Sequence, residues 1–244
     1  NNETVDKLLF ATEKGIPAIF TPCSALGVTA PASIAGVLVQ TLADALFTVV
    51  LCGLKKPGMP LILGGIQTVM RQAKETLSYG SPELHLTSAA MTEIYKWLGL
   101  LNSSAGGCTD AKIVDEQAAS ESVMSIYNNM LAGTNLVHQV GCLDGGLTGS
   151  LSSLVMCDEI IGMIKQIGKG IQVSDETLAL DILKEVGPGG EFLSHDHTYD
   201  HWKEWFRPTI IDRSNFEAWS QAGSKTYNDR LEPEVDRILE SHAP

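Results

Sequence analysis

The residues able to do chemistry fall into two groups. The first is spread over short glycine-containing stretches: Glu83 directly after Pro82, Asp110 and Lys112 close behind Cys108, and Asp144 within Gly141-Cys142-Leu143-Asp144-Gly145-Gly146. Carboxylates so placed can stabilise a cation, orient a substrate or move a proton. Each also has a plainer role. Glu83 at a helix start can simply favour the helix dipole, Asp110 and Lys112 can form a structural ion pair, and Asp144 can bond to turn amides. Cys108 reads as a small packing residue, an inert thiol or a reactive thiolate. The second group is His195, His197 and His201, whose spacing suits zinc as well as helix packing or solvated rings. His138, in an apolar run, either points into an enclosed interior or is a satisfied core histidine. Phe20 is the one aromatic placed to offer a ring face to a cation. Trp97, Trp202, Trp205 and Trp219 fall on helical patterns, where core or interface packing claims them.

The elements that must carry these residues alternate. Residues 3–14 have Val5, Leu8 and Leu9 at helical spacing, and Lys14-Gly15 supplies a stop. Pro17 to Phe20 has the length of a buried strand, and Pro31 suits the first turn of the next helix. Leu61 to Leu63 follows as a second strand, then a segment from Ile66 to Glu75 and a helix from about Pro82 to Trp97. Residues 100–105 form a third strand, weakened by Asn102 and two serines, ahead of a helix from Ile113 to Ala132. Leu136 to Val140 is a fourth strand and Leu151 to Gly170 its helix. Strands alternating with helices predict right-handed βα units on a parallel sheet, and four such units are half of a (β/α)8 barrel. An open half would leave two edges seeking partners.

The fold class is therefore α/β: residues 1–173 form about four βα units, half the count of a TIM barrel, and residues 174–244 a C-terminal helical extension. In that extension Ser174 caps the first helix, the capping box being incomplete because Thr177 stands where Glu or Gln belongs, and Pro188-Gly189-Gly190 stops it. In parallel α/β folds the reacting groups sit on the loops that leave the strand ends. Those loops are Thr21 to Ala30, Gly64 to Pro82, Gly106 to Lys112 and Gly141 to Ser150. Their glycines and small residues would let backbone approach a bulky ligand, such as a flat macrocycle; no phosphate-binding glycine motif is present.

Composition narrows the partners. The 244 residues are 44% hydrophobic, enough for a sizeable core. A net charge of -12 argues against nucleic acid, whose binders cluster Lys and Arg. Five cysteines, odd in number and without a CxxC pair, suit a reducing cytoplasmic compartment. The apolar stretch Ile34 to Leu54 is interrupted by Gln40 and Asp44 and lacks an aromatic belt, so it is expected to be a buried helix and not a membrane span. The sequence starts at Asn1 without a signal-type leader, and an upstream segment is expected. Apolar helices around a barrel also predict a homo-oligomer.

In order and spacing, several motifs resemble the trimethylamine methyltransferase family. They are Gly80-Ser81-Pro82-Glu83-Leu84, Ala105-Gly106-Gly107-Cys108-Thr109-Asp110-Ala111-Lys112, Gln117-Ala118, Leu131-Ala132-Gly133, Ser174-Asp175-Glu176-Thr177-Leu178-Ala179 with Val186-Gly187, Asp212-Arg213 and Ala222-Gly223-Ser224-Lys225. The resemblance covers nearly the whole chain and implies a (β/α)8 barrel about twice as long, of which this is the C-terminal half. It also implies a methyltransferase that hands a methyl group to the Co(I) corrinoid of a cognate corrinoid protein, with no metal bound by the chain itself. Where the pyrrolysine-containing members place pyrrolysine, this sequence has Cys108, which implies the pyrrolysine-free, glycine betaine methyltransferase-like branch. A quaternary ammonium already carries the charge that makes the amine a good leaving group, so it needs no activating adduct.

On that reading Glu83, Asp110 and Asp144 are the catalytic candidates, and Phe20, Cys108, Lys112 and His138 line the substrate site. The N-terminal half of the barrel completes it. Two rivals stand beside it: a non-catalytic truncated barrel acting as a binding or assembly subunit, and a zinc-dependent methyltransferase or hydrolase built on the histidine cluster.

Overall fold

In the computed structural model, which describes residues 2–71 and 76–242, helix α1 (Asn2–Lys14) leads into β1 (Ala18–Phe20), β2 (Cys23–Leu26) and α2 (Ile34–Lys55). Then come β3 (Leu61–Leu63), β4 (Ile66–Arg71), β5 (Thr76–Ser78) and α3 (Pro82–Trp97), followed by β6 (Ser103–Ala105) and α4 (Glu116–Ala132). The last unit comprises β7 (Leu136–His138), β8 (Cys142–Leu143), β9 (Thr148–Gly149) and α5 (Leu151–Gly168). Helices alone follow: α6 (Asp175–Leu178), α7 (Leu180–Val186), α8 (Asp196–His201), α9 (Phe216–Gln221) and α10 (Tyr227–Ser241).

The four expected strands are β1, β3, β6 and β7. β1 pairs with β3 and β6 with β7, both in parallel, and a parallel bridge between Leu63 and Asn102 links the two pairs in chain order. The fold is α/β, and among the described residues its strands do not close into a barrel. Side chains alternate across each strand. Leu61 and Leu63 meet Ala45, Met91 and Tyr95 of α2 and α3, while the Tyr95 hydroxyl donates to the Gly64 carbonyl at 2.9 Å and closes that core above β3. The polar residues that weaken the third strand in the sequence have a structural role. Asn102 is buried, its amide donates to Thr92 Oγ1 at 2.8 Å, and its backbone N–H donates to Asn135 Oδ1 at 3.1 Å.

Several expectations change. The Ile66 to Glu75 segment is a strand over Ile66–Arg71, and residues 72–75 lie outside those described. β2 and β4 continue the β1–β3 ladder with the same 43-residue offset, Ala18 opposite Leu61 and Cys23 opposite Ile66, broken only at Thr21-Pro22 and Gly64-Gly65. β5 returns antiparallel to β4. β7 ends at His138 instead of Val140, because Gln139 turns the chain at φ 66°. The helix expected from Ile113 starts at Glu116, after Asp115 caps it by accepting from the Ala118 N–H at 2.9 Å.

α2 is longer and more exposed than a core helix. It is the one helix among the described residues long and apolar enough to cross a membrane. The expected burial holds on one face only, where Val37, Thr41, Ala45, Thr48 and Cys52 point inward. The capping box at Ser174 is complete, since the Thr177 hydroxyl accepts from the Ser174 N–H at 2.9 Å in place of a carboxylate.

The helical extension packs onto the last βα unit. Ile210 and Leu231 share one core with Ile126, Met156, Cys157, Ile160 and Ile164. Glu159 ties this junction: its carboxylate accepts from the backbone N–H groups of Thr209, Ile210 and Ile211 at 3.0 Å and from the Thr209 hydroxyl at 2.7 Å. Burial acts to raise its pKa, but the amides and the hydroxyl outweigh burial and hold it below the usual carboxylate value. Its stabilisation is complete above the unfolded pKa of roughly 4.3 and is lost as pH falls through the lower folded value. Glu159→Ala, by leaving three amides unpaired, is expected to lower the melting temperature of the full-length protein by about 5–10 °C at pH 7. In scanning calorimetry across pH, the gap to wild type should close on the acid side of that window.

Candidate functional site

The loops leaving β6 and β7 form one unit. Gly106 N–H donates to the His138 carbonyl, Gly141 to Gly107, Thr109 to Cys142, Asp144 to Ala111 and Gly145 to Thr109, all at 2.9–3.1 Å. This ladder brings Cys108, Asp110, Lys112 and Asp144 together. Lys112 does not pair with the Asp110 carboxylate. Its ammonium lies 2.6 Å from Asp144 Oδ1 and donates to the Asp110 carbonyl oxygen at 2.7 Å. The pair is largely exposed, which makes it a loop staple worth under about 1 kcal/mol. Beyond it the β8–β9 hairpin projects, with Leu147 84% exposed at its turn.

Asp110 uses both carboxylate oxygens within the protein. Oδ2 accepts from the Ser78 hydroxyl at 2.5 Å and Oδ1 from the Tyr79 N–H at 2.7 Å, so Asp110 fixes the end of β5 and the main chain at Tyr79. A second carboxylate, absent from the sequence reading, sits behind it. Glu121 on α4 accepts from Thr109 Oγ1 at 2.5 Å, from the Asp110 N–H at 2.7 Å and from Gln117 at 2.8 Å. A Cβ on Gly80 would overlap the Glu121 carboxylate. The Gly80-Ser81-Pro82 motif thus combines clearance for Glu121, a serine cap that accepts from the Leu84 N–H, and a proline in the first helical turn. His85, one turn on, is buried, and burial lowers its pKa while Glu121 and Asp110 oppose that shift.

Tyr79 was also missed. It is half-buried, and burial raises its pKa, opposed by Gln139 and reinforced slightly by Cys23, Cys108 and Cys142, so that it stays neutral at physiological pH. Its position directly before Gly80-Ser81-Pro82 was the available signal. Burial, with smaller contributions from Cys142, Asp110 and Glu121, pushes the Cys108 thiol up to about 12, which removes the thiolate reading.

The other candidates lie elsewhere. His138 stands in register with Ala105 on the strand face turned from the helices; its Nε2 is buried without a partner among the described residues, and burial lowers its pKa. Ser103 shares that face, its hydroxyl buried without a partner among the described residues, and the Ser103 and Thr21 hydroxyls approach the position of a Cβ on Gly64, at 2.9 and 2.5 Å. Phe20, half-buried, is in register with Leu63 on the helix-covered face. Glu83 lies in the first turn of α3, and among the described residues nothing hydrogen-bonds or pairs with its carboxylate. The strand-end glycines mostly make room for protein. At Gly141, for example, φ is 82° and a Cβ would meet Leu154 at 2.9 Å.

The histidine cluster serves α8. His195 Nδ1 accepts from the His197 N–H at 3.1 Å, the rings of His197 and His201 lie 4.3 Å apart, and His201 Nδ1 is 2.9 Å from Glu204. Among the described residues no three His, Cys, Asp or Glu side chains group so as to hold a metal ion, which leaves the zinc alternative without a ligand set.

The parallel βα frame and its strand-end ladder can now be set beside known proteins. A family model described as trimethylamine methyltransferase (MTTB) matches residues 1–244. The chain is 35% identical over its whole length to the trimethylamine methyltransferase MttB of Desulfitobacterium hafniense and 36% identical over 93% of its length to that of Methanosarcina barkeri, covering 49% and 46% of those proteins. It is also 34% identical over 97% of its length to the glycine betaine methyltransferase of Desulfitobacterium hafniense, covering 50% of it. The chain belongs to the trimethylamine methyltransferase family, and it spans about half the length of these relatives.

A thiol held near 12 should resist alkylation. With iodoacetamide at pH 8, mass spectrometry of the folded full-length protein is expected to find Cys108 unmodified and exposed Cys23 labelled, and Cys108 labelled only after denaturation.

Proposed function

We propose that the complete protein moves a methyl group from a small quaternary amine of the glycine betaine type to the Co(I) corrinoid of a separate corrinoid protein, with this chain as the second half of the barrel. The observation that carries the reading is Cys108: a walled-in, protonated thiol stands where the pyrrolysine-containing relatives have their activating group. Without such an activator an uncharged amine is a poor leaving group. A substrate nitrogen must then arrive already cationic. The relatives' names include both trimethylamine and glycine betaine at similar identity, and Cys108 supports the second.

The neutral polar atoms Gln139 Oε1, His138 Nε2 and Ser103 Oγ, on or beside β6 and β7, are buried without partners among the described residues and suit the amide-bearing rim of a corrinoid or the substrate beneath it. The corrinoid, held by its own carrier, would supply the cobalt nucleophile. This chain's residues bind and orient the cation. Tyr79 offers a neutral ring face to the ammonium, Asp110 holds the main chain that carries it by accepting from the Tyr79 N–H, and the net charge of -12 attracts the cation. The five free cysteines fit a reducing cytoplasm.

Full-length protein with reduced corrinoid protein is expected to give methyl-cobalt absorbance with at least one member of a betaine panel and none with trimethylamine. Methyl transfer from trimethylamine alone would overturn the reading. Tyr79→Leu should raise KM about 3–30-fold with kcat little changed, and Tyr79→Phe should stay near wild type, the spread expected of one cation–π contact.

A further inference from the structure

Two cysteines face each other across the strand-end ladder. Cys108 and Cys142 are parallel bridge partners, and the next residue along, Thr109, donates its N–H to the Cys142 carbonyl at 3.0 Å. Neighbouring strands run about 4.8 Å apart, and a disulfide joins Cα atoms roughly 4.4–6.8 Å apart. The spacing therefore suits a bond between the two sulfurs. Their direction suits it too. The Thr109 hydroxyl reaches Glu121 on α4, and Leu143 lies in the core with Ile126 and Ile160, so both neighbours point to the helices. Side chains alternate along a strand, which turns Cys108 and Cys142 to the opposite side together. Among titratable neighbours Cys142 acts most strongly on Cys108, and both thiols act on Tyr79.

The two thiols differ in access. Cys142 is partly exposed and Cys108 only 2% exposed, so an oxidant meets Cys142 first and Cys108 stands where it can capture the product. Hydrogen peroxide converts the Cys142 thiol to a sulfenic acid and leaves as one water. The Cys108 sulfur then attacks the Cys142 sulfur, and its proton departs with the sulfenic hydroxyl as a second water. The other thiols are placed less well: Cys157 is buried in the core with its thiol toward the Gly107 carbonyl, and Cys23 begins β2. Both partners and the residues that aim them belong to this chain, so the pairing does not wait on the rest of the full-length protein.

We infer that Cys108 and Cys142 form a reversible dithiol–disulfide pair that locks the loops leaving β6 and β7 together and closes the site under oxidising conditions. Drawing the sulfurs to bonding distance, roughly 2.0 Å, reshapes the wall beside Tyr79. A Co(I) acceptor survives only in reducing surroundings, so a lock set by oxidation would stop substrate capture when the acceptor is lost. That consequence rests on the methyl-transfer reading; the cross-link does not.

The test uses the full-length protein, kept anaerobic and then treated with stoichiometric hydrogen peroxide. After digestion without reductant, mass spectrometry should find the Cys108 and Cys142 peptides joined, two hydrogens lighter than their sum, and separate again after dithiothreitol. Cys142→Ser should give no joined peptide. Methyl transfer should be lost on oxidation and return with dithiothreitol, and Cys142→Ser should keep its own rate through the same treatment. Cys142 joined to Cys157 or Cys23, Cys142 oxidised to a sulfinic acid without a cross-link, or cross-linked protein that turns over at the reduced rate would each overturn the proposal. The cross-link is mapped without substrate, so its absence sinks the pair whatever the reaction, whereas reduced protein that transfers no methyl group sinks the proposed function and the switch with it.

Discussion

Backbone amides in a buried loop need partners, because each one left bare costs about 1–3 kcal/mol. Between residues 106 and 112 almost everything nearby is buried, and the amides find their partners in the neighbouring loop, 138–145. The rest of the site follows from that ladder. It sets Lys112 against Asp144, places Cys108 in a dry wall, and holds Asp110 where its carboxylate can catch the end of β5. Glu121 and Thr109 support it from behind, so the conspicuous acidic groups of the Thr109-Asp110 loop are occupied as fasteners before any substrate arrives.

That occupancy recasts the chemistry. Two carboxylates with satisfied oxygens serve poorly as proton-transfer groups and well as the rigid frame for a ring and a field. The methyl transfer we propose, from an ammonium to a metal, would require no proton to move. A site made of a tyrosine held at its main chain, a protonated thiol and neutral polar atoms without partners among the described residues is consistent with a reaction that needs position and charge more than acid or base.

Much of the frame was legible in the sequence because its signals are local. Pro17 to Phe20, Leu61 to Leu63 and Leu136 onward are apolar runs bounded by glycine or proline, and the structure pairs them in chain order. β2 and β4 escaped notice because Ser24, Gln67 and Thr68 are buried polar residues that break the apolar pattern of a covered strand. Glu121 and Tyr79 join the site through contacts between separate elements, which spacing along one element cannot reveal. α2 misled differently: a helix apolar on both sides reads as core, whereas only one side meets the chain's own interior. The three histidines of the extension suited zinc by spacing, yet a cap, a ring contact and a carboxylate account for them.

The unbroken offset between β1–β2 and β3–β4 has a consequence for how such a protein can change over time. A residue gained or lost at Thr21-Pro22 would slip β2 against β4 and turn every side chain there to the opposite face. Only a matching gain or loss at Gly64-Gly65 restores the alignment. Length at these two breaks is therefore inherited as a single character, and homologues should differ at both or at neither.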